Sequence, residues 1–568
     1  MRITYNDKLN KLLNPYLESL LKEKTSLEPE TLTLFDMFME DLDMGGRYGI
    51  FSEILEPRLE EIIREENIES IANLMDGKLH KLFHYMLGDE FATLFRTYLQ
   101  LEARCPHTIG YDRRAQRSTH PSNHLDHARD AWLQFLKLRA TGFSVEAILK
   151  GGNTPEDIEE FSGYMNSSYW LAAQIAQGNE TVIEYLHQVL TSENNANRLQ
   201  RWYLHAIAIS GHRPLLELEG KLLLAAKLQE GLRQAIVETM DEGCPESYLY
   251  LFSIIYHNGL QRFASVKRSI AVCTGIGEQD SSERITNKYV DLIWNFLNHP
   301  EAARNTLQSK DTVELYLALW SIGFYDTDEI RVIVPDIIRK GAKHQIQTLL
   351  YFLRCTQSSQ MNHLISKDAF EVWHDDPKVV AAILPLYMDG LYLSRYSDNK
   401  ETPALSDYFE TPEEAVRQYE YLKQVYQSIS AKETYSPYVF PWDSIILTRS
   451  DVVLKMAYIA WMTNDARLRE ELCEYLPALE SYSRASYIGI VMAHTESKVE
   501  QEYVLQSLGD RSTDIRDEAY KVLSEMSLSP EQYQSIEELL RFKYSEMRIN
   551  AINLLMKQPK EQLTGSIR

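Results

Sequence analysis

The sequence predicts an all-α fold organised as an α-solenoid, an array of stacked helix pairs. Apolar residues recur at spacings of three and four along most of the chain, which is typical of helices with one buried face. Near the C-terminus one short pattern recurs every 32 positions, and a period of roughly 20–50 residues indicates helical repeats. Sustained apolar–polar alternation bounded by hairpin turns is missing from the sequence, so we expect negligible strand.

Residues 1–120 form an N-terminal helical region in which this spacing is clear. The spacing stops at Cys105 and resumes near Asn123, so we expect the region to end in a loop rich in arginine and histidine. Its main apolar stripes comprise Leu9, Leu12, Leu13, Tyr16, Leu17, Leu20 and Leu21, then Leu55, Leu59, Ile62 and Ile63, then Leu79, Leu82, Phe83 and Met86.

Residues 121–404 are predicted to form irregular helical repeats, in short helices separated by polar breaks such as residues 243–246. Two longer interruptions, residues 397–412 and 432–442, contain prolines, which lack a backbone donor and clash with the preceding helical turn. We therefore place a boundary near residue 405 and expect regular repeats over residues 405–568.

The recurring C-terminal pattern is marked by arginine. Arg484, Arg516 and Arg548 follow one another at intervals of 32 positions, and a fainter copy begins at Val453. We expect the aliphatic stems of Arg516 and Arg548 to lie on the apolar stack. Their guanidinium groups would then bond carbonyls or carboxylates of the adjacent repeat.

Each repeat is predicted to contain two helices. Ser529 should cap one of the first helices, with Pro530 at its first position and Gln532 completing a capping box. Ala519 and Ala551 are small enough for neighbouring helices to approach closely. The residues expected to face the core are Ile536, Leu539 and Leu540 from the first helix, and Met547, Ala551, Leu554 and Leu555 from the second.

The C-terminal repeats resemble those of the HEAT family. Leu508-Gly509-Asp510 followed by Asp514-Ile515-Arg516 and Ala519 is similar to that family's turn and second-helix signature. Neighbouring copies depart from it, because Phe542 and Ala478 stand where Asp510 would be expected. The resemblance covers roughly the last 120 residues and implies stacked HEAT-like or armadillo-like helix pairs there.

Two further segments resemble large bacterial proteins related to MolR, which are long helical chains of poorly defined function. The segments are residues 260–268 and residues 111–118. This resemblance implies a bacterial chain similar to the N-terminal portion of those proteins. The end at residues 565–568 agrees with that expectation, because no polar capping helix closes the stack.

Composition narrows the classes of function. The net charge is −23, and a strongly acidic chain disfavours nucleic acid, whose binding depends on Lys and Arg. The sequence has five cysteines without Cys-x-x-Cys spacing, which we interpret as reduced and mostly buried thiols. No apolar run is long enough to span a bilayer and the start lacks a secretory h-region. We therefore expect a cytoplasmic protein that does not bind membranes.

The best local cationic cluster comprises Tyr111, Arg113, Arg114 and Arg117. Arginine forks suit phosphates or carboxylates, so these four residues are the candidate binding site. The alternative is structural, since the same arginines could clamp the long loop onto acidic helices.

The best candidates for metal ligands are His120, His124 and His127, with His107 and Cys105 nearby. Imidazole is a common zinc ligand, but a zinc site also needs a third or fourth ligand in fixed geometry. The alternative is a polar loop with solvated histidines. We expect no metal and no cofactor.

These observations favour a non-catalytic interaction scaffold that binds a protein partner or the chain's own downstream region. Two alternatives remain: a HEAT-like nucleic-acid-binding protein, and an enzyme whose site lies between Cys105 and His127. A solenoid leaves its last repeat open, so Met547, Leu554 and Leu555 should carry an apolar surface that something else covers. Association through this C-terminal end is therefore expected, with a missing downstream region or with another copy of the chain.

Overall fold

The protein is almost entirely helical, as its computed structural model shows. The structure describes residues 7–44, 55–68, 73–109, 113–115, 125–141, 167–192, 199–225, 230–276, 284–325, 327–356, 359–395, 402–541 and 545–557. Within these ranges there are 28 α-helices and two short strand pairs, so the predicted all-α class is confirmed. None of the described helices has both the length and the apolarity needed to cross a membrane.

The helices are short in most of the chain. The first fourteen are α1 Asp7–Glu23, α2 Pro29–Met44, α3 Leu55–Glu65, α4 His80–Leu87, α5 Asp89–Arg104, α6 Leu125–Thr141, α7 Ser167–Ala176, α8 Glu180–Thr191, α9 Arg201–Ser210, α10 Arg213–Leu223, α11 Glu230–Met240, α12 Pro245–His257, α13 Ala264–Thr274 and α14 Asn287–Asn298. The others are α15 Pro300–Thr306, α16 Thr312–Tyr325, α17 Thr327–Lys340, α18 Lys343–Thr356, α19 Ser359–Trp373, α20 Pro377–Ile383, α21 Pro412–Ser428, α22 Arg449–Thr463, α23 Ala466–Leu472, α24 Ser481–Val491, α25 Lys498–Ser507, α26 Thr513–Glu525, α27 Pro530–Leu539 and α28 Ser545–Leu555.

Two antiparallel strand pairs interrupt the helices. Strand β1 (His107–Ile109) pairs with β2 (Arg113–Ala115), and β3 (Lys432–Tyr435) pairs with β4 (Ile445–Thr448). The second pair includes part of the predicted interruption at residues 432–442. The loop that connects β3 to β4 is longer than a tight hairpin turn. It therefore lacks the two-residue turn sequences by which hairpins are usually predicted.

The chain divides into two compact units. Unit 1 comprises Met1–Ser309, Tyr316–Arg331 and Cys355–Ser358, and unit 2 comprises Lys310–Leu315, Val332–Arg354 and Ser359–Arg568. The predicted division into segments 1–120, 121–404 and 405–568 was based on how regular the helical repeats are, and not on which residues pack into one compact unit. It stays a prediction.

In unit 1 the helices pack in two rows. Helices α5, α7, α9, α11 and α13 contact one another in that order, and α8, α10, α12 and α14 form a second row. The helix predicted to resume near Asn123 is α6, and its Trp132, Phe135 and Leu136 are fully buried. The break at residues 243–246 separates α11 from α12, which begins at Pro245.

Unit 2 contains a similar succession of helices at its C-terminal end. Helices α22, α24, α26 and α28 contact one another in that order, and α23, α25 and α27 do the same. Ala519 and Ala551 are both buried, as predicted for small residues at close approaches between helices. The predicted capping box is also present, since Ser529 and Gln532 exchange hydrogen bonds at the start of α27 with Pro530 at its first position.

The predicted core faces of the last two helices need correction. Ile536, Met547 and Leu554 are buried, but Leu539 and Leu555 are half-buried and Leu540 is exposed. Leu540 lies just beyond the end of α27, so the helical spacing that would direct it inward no longer applies.

All five cysteines are buried and none forms a disulfide. Burial of these thiols agrees with the prediction from their scattered spacing, because free cysteines behave as small apolar residues in protein cores.

Candidate functional site

The cationic cluster predicted from the sequence lies largely outside the described residues. Tyr111 and Arg117 are not described, and Arg113 and Arg114 are described only as backbone positions of β2. The binding role assigned to these four residues therefore stays a prediction.

The predicted metal candidates are placed similarly. His120 and His124 lie outside the described residues, and His127 belongs to α6 without a described side chain. Among the side chains that the structure does describe, no group of three or more His, Cys, Asp or Glu could hold a metal ion. The described side chains therefore form no candidate metal site.

Ion pairs join the successive helices at the C-terminal end of unit 2. The Arg469 guanidinium donates to both oxygens of the buried Glu500 carboxylate, from Nε to Oε1 at 2.9 Å and from Nη2 to Oε2 at 2.7 Å. Arg484 donates to Asp510 at 3.0 Å. Arg469 thus joins α23 to α25, and Arg484 joins α24 to the loop before α26, by charge-assisted hydrogen bonds, which are stronger than neutral ones.

Arg516 makes the bonds to carbonyls and a carboxylate that were predicted for it. Its guanidinium donates to the carbonyls of Asp510 and Arg511, each at 3.0 Å, and to the Glu546 carboxylate of α28 at 3.1 Å. Arg548, the next copy, is exposed. The cross-repeat bond predicted for both arginines is therefore observed at Arg516.

A segment without regular secondary structure, residues 391–395, crosses three of these helices, and we call it the strap. The Tyr458 hydroxyl of α22 donates to the Leu391 carbonyl at 2.9 Å. The Tyr482 hydroxyl of α24 lies 2.7 Å from the Ser394 hydroxyl and accepts from Tyr392 at 3.2 Å. The strap is thus held by bonds from both helices.

The last residue of the strap, Arg395, approaches three further residues. The Arg395 backbone N–H donates to the Ser486 hydroxyl of α24 at 3.2 Å. Its guanidinium donates to the Asp514 carboxylate of α26 at 2.5 Å and to the Asp514 carbonyl at 3.2 Å, and it lies 3.8 Å from the Glu518 carboxylate. We call the surface formed by Tyr458, Tyr482, Ser486 and Asp514 the strap face.

The strap reaches the three helices largely through side chains. Packed helices are about 8–10 Å apart, so the axes of α22 and α26 are roughly 16–20 Å apart. Five residues span at most about 17 Å. The tyrosine side chains of α22 and α24 and the Arg395 side chain cover part of this distance.

A buried histidine fixes the turn that leads into the strap. The Met388 backbone N–H donates to Nδ1 of His363 at 3.0 Å, and Nε2 of His363 lies 3.3 Å from the Tyr408 carbonyl. Burial lowers the pKa of His363, so the neutral ring accepts at Nδ1 and donates at Nε2. Met388 itself has a φ of 52°, in the left-handed region that costs a non-glycine residue free energy.

Lys455 of α22 lies close to the start of the strap. Its ammonium is 5.5 Å from the centre of the Tyr458 ring. Burial lowers the pKa of Lys455 to about 8, against the opposing effect of the Asp389 and Asp451 carboxylates. Perturbed lysines of this kind often mark functional surfaces, and here the residue adjoins the strap face.

Most of the chain matches one protein family. A family described as "Family of unknown function (DUF5724)" matches residues 34–568. The chain belongs to this family. No curated protein and no solved structure matches it. The DUF5724 match covers the strap and all of the helices that the strap crosses, so both features lie within the family's own region.

Sequence reasoning missed the strap face. The strap precedes the interruption predicted at residues 397–412, and it contains no helical spacing, no motif and one lone arginine. The signal that could have directed attention to it is indirect. Tyr482 and Asp514 occupy the same repeat position, 32 residues apart, and both are polar where a purely structural repeat has no need of them.

Proposed function

We propose that this chain is a non-catalytic interaction scaffold, an acidic α-solenoid of HEAT-like helix pairs that binds a protein partner in the cytoplasm. The observation that supports this most directly is the strap, a segment without regular secondary structure that is bonded to three successive helices. A surface that holds five residues of its own chain in this way has the groups needed to hold a partner's segment.

The groups that hold the strap suit a peptide. Two tyrosine hydroxyls, one serine hydroxyl and one carboxylate contact backbone and side-chain atoms of the strap. Each such bond contributes only about 0.5–1.5 kcal/mol, and somewhat more where a charge is involved. Specific binding therefore needs several bonds in register, which the regular spacing of stacked helices supplies.

Charge favours protein over nucleic acid. The chain carries a net charge of −23, and Asp514 and Glu518 lie on or beside the strap face. Phosphate backbones are repelled by such a surface, whereas a basic protein segment is attracted to it. A downstream region of the same chain would satisfy the same chemistry.

The test is selection of binding peptides on the full-length chain. A displayed library of random peptides is panned against the wild type, and the selected peptides are measured by fluorescence anisotropy. Replacing Tyr482 by Ala removes a strap-face hydroxyl and ring, and we expect the affinity of the selected peptides to fall about tenfold. The matched control is Tyr520→Ala, a half-buried tyrosine of α26, which should leave the affinity unchanged.

Two results would reject the scaffold. One is failure of every selected peptide to bind more tightly to the wild type than to Tyr482→Ala. The other is salt-sensitive binding of duplex or single-stranded nucleic acid at about 150 mM salt that is tighter than the micromolar non-specific range.

A further inference from the structure

Arg395 sits in a notch formed by two acidic side chains of α26. Asp514 accepts from Nη2 at 2.5 Å, and the Glu518 carboxylate is 3.8 Å from Nη1. The Arg395 side chain is only 8% exposed, whereas that of Asp514 is 54% exposed. One wall of the notch therefore faces solvent while its present occupant is enclosed.

The chemistry of the notch selects arginine. A planar guanidinium presents several donors in a fixed fork, which can reach a carboxylate and a neighbouring carbonyl together. Arg395 does this at Asp514, bonding both its carboxylate and its carbonyl. A lysine ammonium offers a single point of attachment and would satisfy fewer of these acceptors.

The notch is confined to one repeat among those that the structure describes. The position equivalent to Asp514 is Tyr482 in α24 and Glu546 in α28, each 32 residues away. Tyr482 carries no charge, and Glu546 already accepts from Arg516 at 3.1 Å. An arginine seated between Asp514 and Glu518 would therefore set the register of a whole segment on the strap face.

We infer that Asp514 and Glu518 receive an arginine of the partner, and that Arg395 occupies their notch in cis until an extended, arginine-bearing segment displaces it. This inference rests on the proposed function and names the chemistry of the partner. Arg395 is the last of the strap contacts with the helices, so it can be released first, and the bonds at Ser394 and Leu391 then give way to the partner's segment. The partner then enters from the solvent-facing side at Asp514.

The experiment uses the full chain and two labelled synthetic peptides. One has the sequence of residues 389–395, Asp-Gly-Leu-Tyr-Leu-Ser-Arg, and the other has glutamine in place of its arginine. The host is the Arg395→Gln variant, in which the notch has lost its own guanidinium. We expect the arginine peptide to bind this variant about tenfold more tightly than it binds the wild type, since a charge-assisted bond is among the strongest a peptide can make.

Two further variants of the Arg395→Gln host locate the binding. Adding Asp514→Asn should weaken the arginine peptide about tenfold, because it removes the charge that the guanidinium pairs with. Adding Glu525→Gln, at an exposed carboxylate of the same helix, should leave binding unchanged. Arg395→Lys serves as a second host in case Arg395→Gln is poorly folded, and thermal unfolding checks both.

The inference is overturned if the two peptides bind equally well, or if Asp514→Asn and Glu525→Gln have the same effect. Failure here is distinguishable from failure of the scaffold. If selected library peptides still depend on Tyr482 while arginine confers no advantage, the strap face binds protein and the assigned chemistry of the partner is wrong. If library peptides do not depend on Tyr482 either, both proposals fall.

Discussion

The Glu518 carboxylate lies where a side chain on Gly489 would be. A Cβ built on Gly489 of α24 would come within 2.7 Å of Glu518 Oε2. Glu518 belongs to α26, where its carboxylate pairs with the Lys521 ammonium at 2.7 Å and lies near the Arg395 guanidinium. The absence of a side chain at position 489 thus leaves room for one wall of the arginine notch.

The Gly489→Ala substitution tests this relationship. Alanine in a helix interior is favoured over glycine by about 1 kcal/mol, but here the gain should be cancelled by displacement of Glu518. We expect the free energy of unfolding to change by less than about 0.5 kcal/mol. In a Glu518→Ala background the same substitution should stabilise by about 1 kcal/mol, since the obstruction is gone. Equal effects in both backgrounds, measured by denaturant unfolding, would show that the two residues are not coupled.

Glu219 of α10 should destabilise unit 1 at neutral pH. Its side chain is fully buried, and within the described part of the chain neither carboxyl oxygen has a hydrogen-bond partner. Burial therefore raises the pKa of Glu219 well above its usual value. The folded state keeps its proton while the unfolded state loses it above about pH 4.5, so stability falls as the pH rises from there towards the folded-state pKa.

Replacing Glu219 by Leu should therefore raise the free energy of unfolding at pH 7 by about 1–3 kcal/mol. The gain should shrink as the pH is lowered to about 4. Glu217→Leu is the control on the same helix, where the native carboxylate pairs with Arg213 at 3.0 Å on the surface. A gain that is independent of pH would contradict the assignment of a neutral buried carboxyl.

Lys455 should show the opposite dependence on pH. Its pKa is lowered to about 8 by burial, so between about pH 8 and 10.5 the unfolded chain binds more protons than the folded one. The free-energy cost of burying the charged ammonium is fully present below pH 8. It disappears as the pH rises through that interval. We expect Lys455→Met to stabilise at pH 7 by about 1 kcal/mol or more and to gain little at pH 10.

The control for Lys455 is Lys498→Met, an exposed lysine of α25. It should change stability by less than about 0.5 kcal/mol at either pH. Stabilisation by Lys455→Met that persists unchanged at pH 10 would mean that packing, instead of charge, limits this position.

The last described helix, α28, should mediate association of two copies. Ile549, Ile552 and Met556 are 56%, 49% and 72% exposed and follow one another at spacings of three and four. The predicted apolar surface, Met547, Leu554 and Leu555, is mostly turned inward instead. A two-fold interface uses the same patch on both copies, and an exposed apolar stripe suits such a contact, so we expect a second copy to cover it.

Sedimentation or light scattering of the full chain tests this association. We expect a concentration-dependent dimer that Ile552→Glu converts to monomer, because a buried carboxylate would face apolar side chains. The Asn553→Glu control alters the neighbouring exposed position and should leave the dimer intact. A monomer at every concentration would assign the stripe another role.

Local rules account for what the sequence could predict. The capping box at Ser529 depends on residues three apart, and burial of Ala519 and Ala551 follows from a pattern within one helix. The inward face of α28 was also predicted correctly at Met547, Ala551 and Leu554, although the helix carries a second apolar stripe. Spacing alone does not say which of Met547 and Ile549 faces the neighbouring helix.

The candidate site could not be predicted because its contacts are distant in sequence. Arg395 and Asp514 are 119 positions apart, and neither carries a mark that distinguishes it from other arginines and aspartates. The sequence pattern pointed instead to Arg113 and Arg114, where cationic residues cluster. Clustering along the sequence reports local charge, whereas the role of Arg395 depends on the acidic side chains that the fold brings next to it.

Arrays of helix pairs are usually bound only to their nearest neighbours, so they can unravel one repeat at a time from an open end. In the solenoid that we propose, the strap would change this rule for α22, α24 and α26. Detaching α26 would break its bonds with Arg395 as well as its packing on α24. Fraying that begins at α28 should therefore halt at α26, and the three strapped helices should open together as a single cooperative block. Synthesis imposes the reverse order, since the strap leaves the ribosome first and must wait for α26 before its last bond can form.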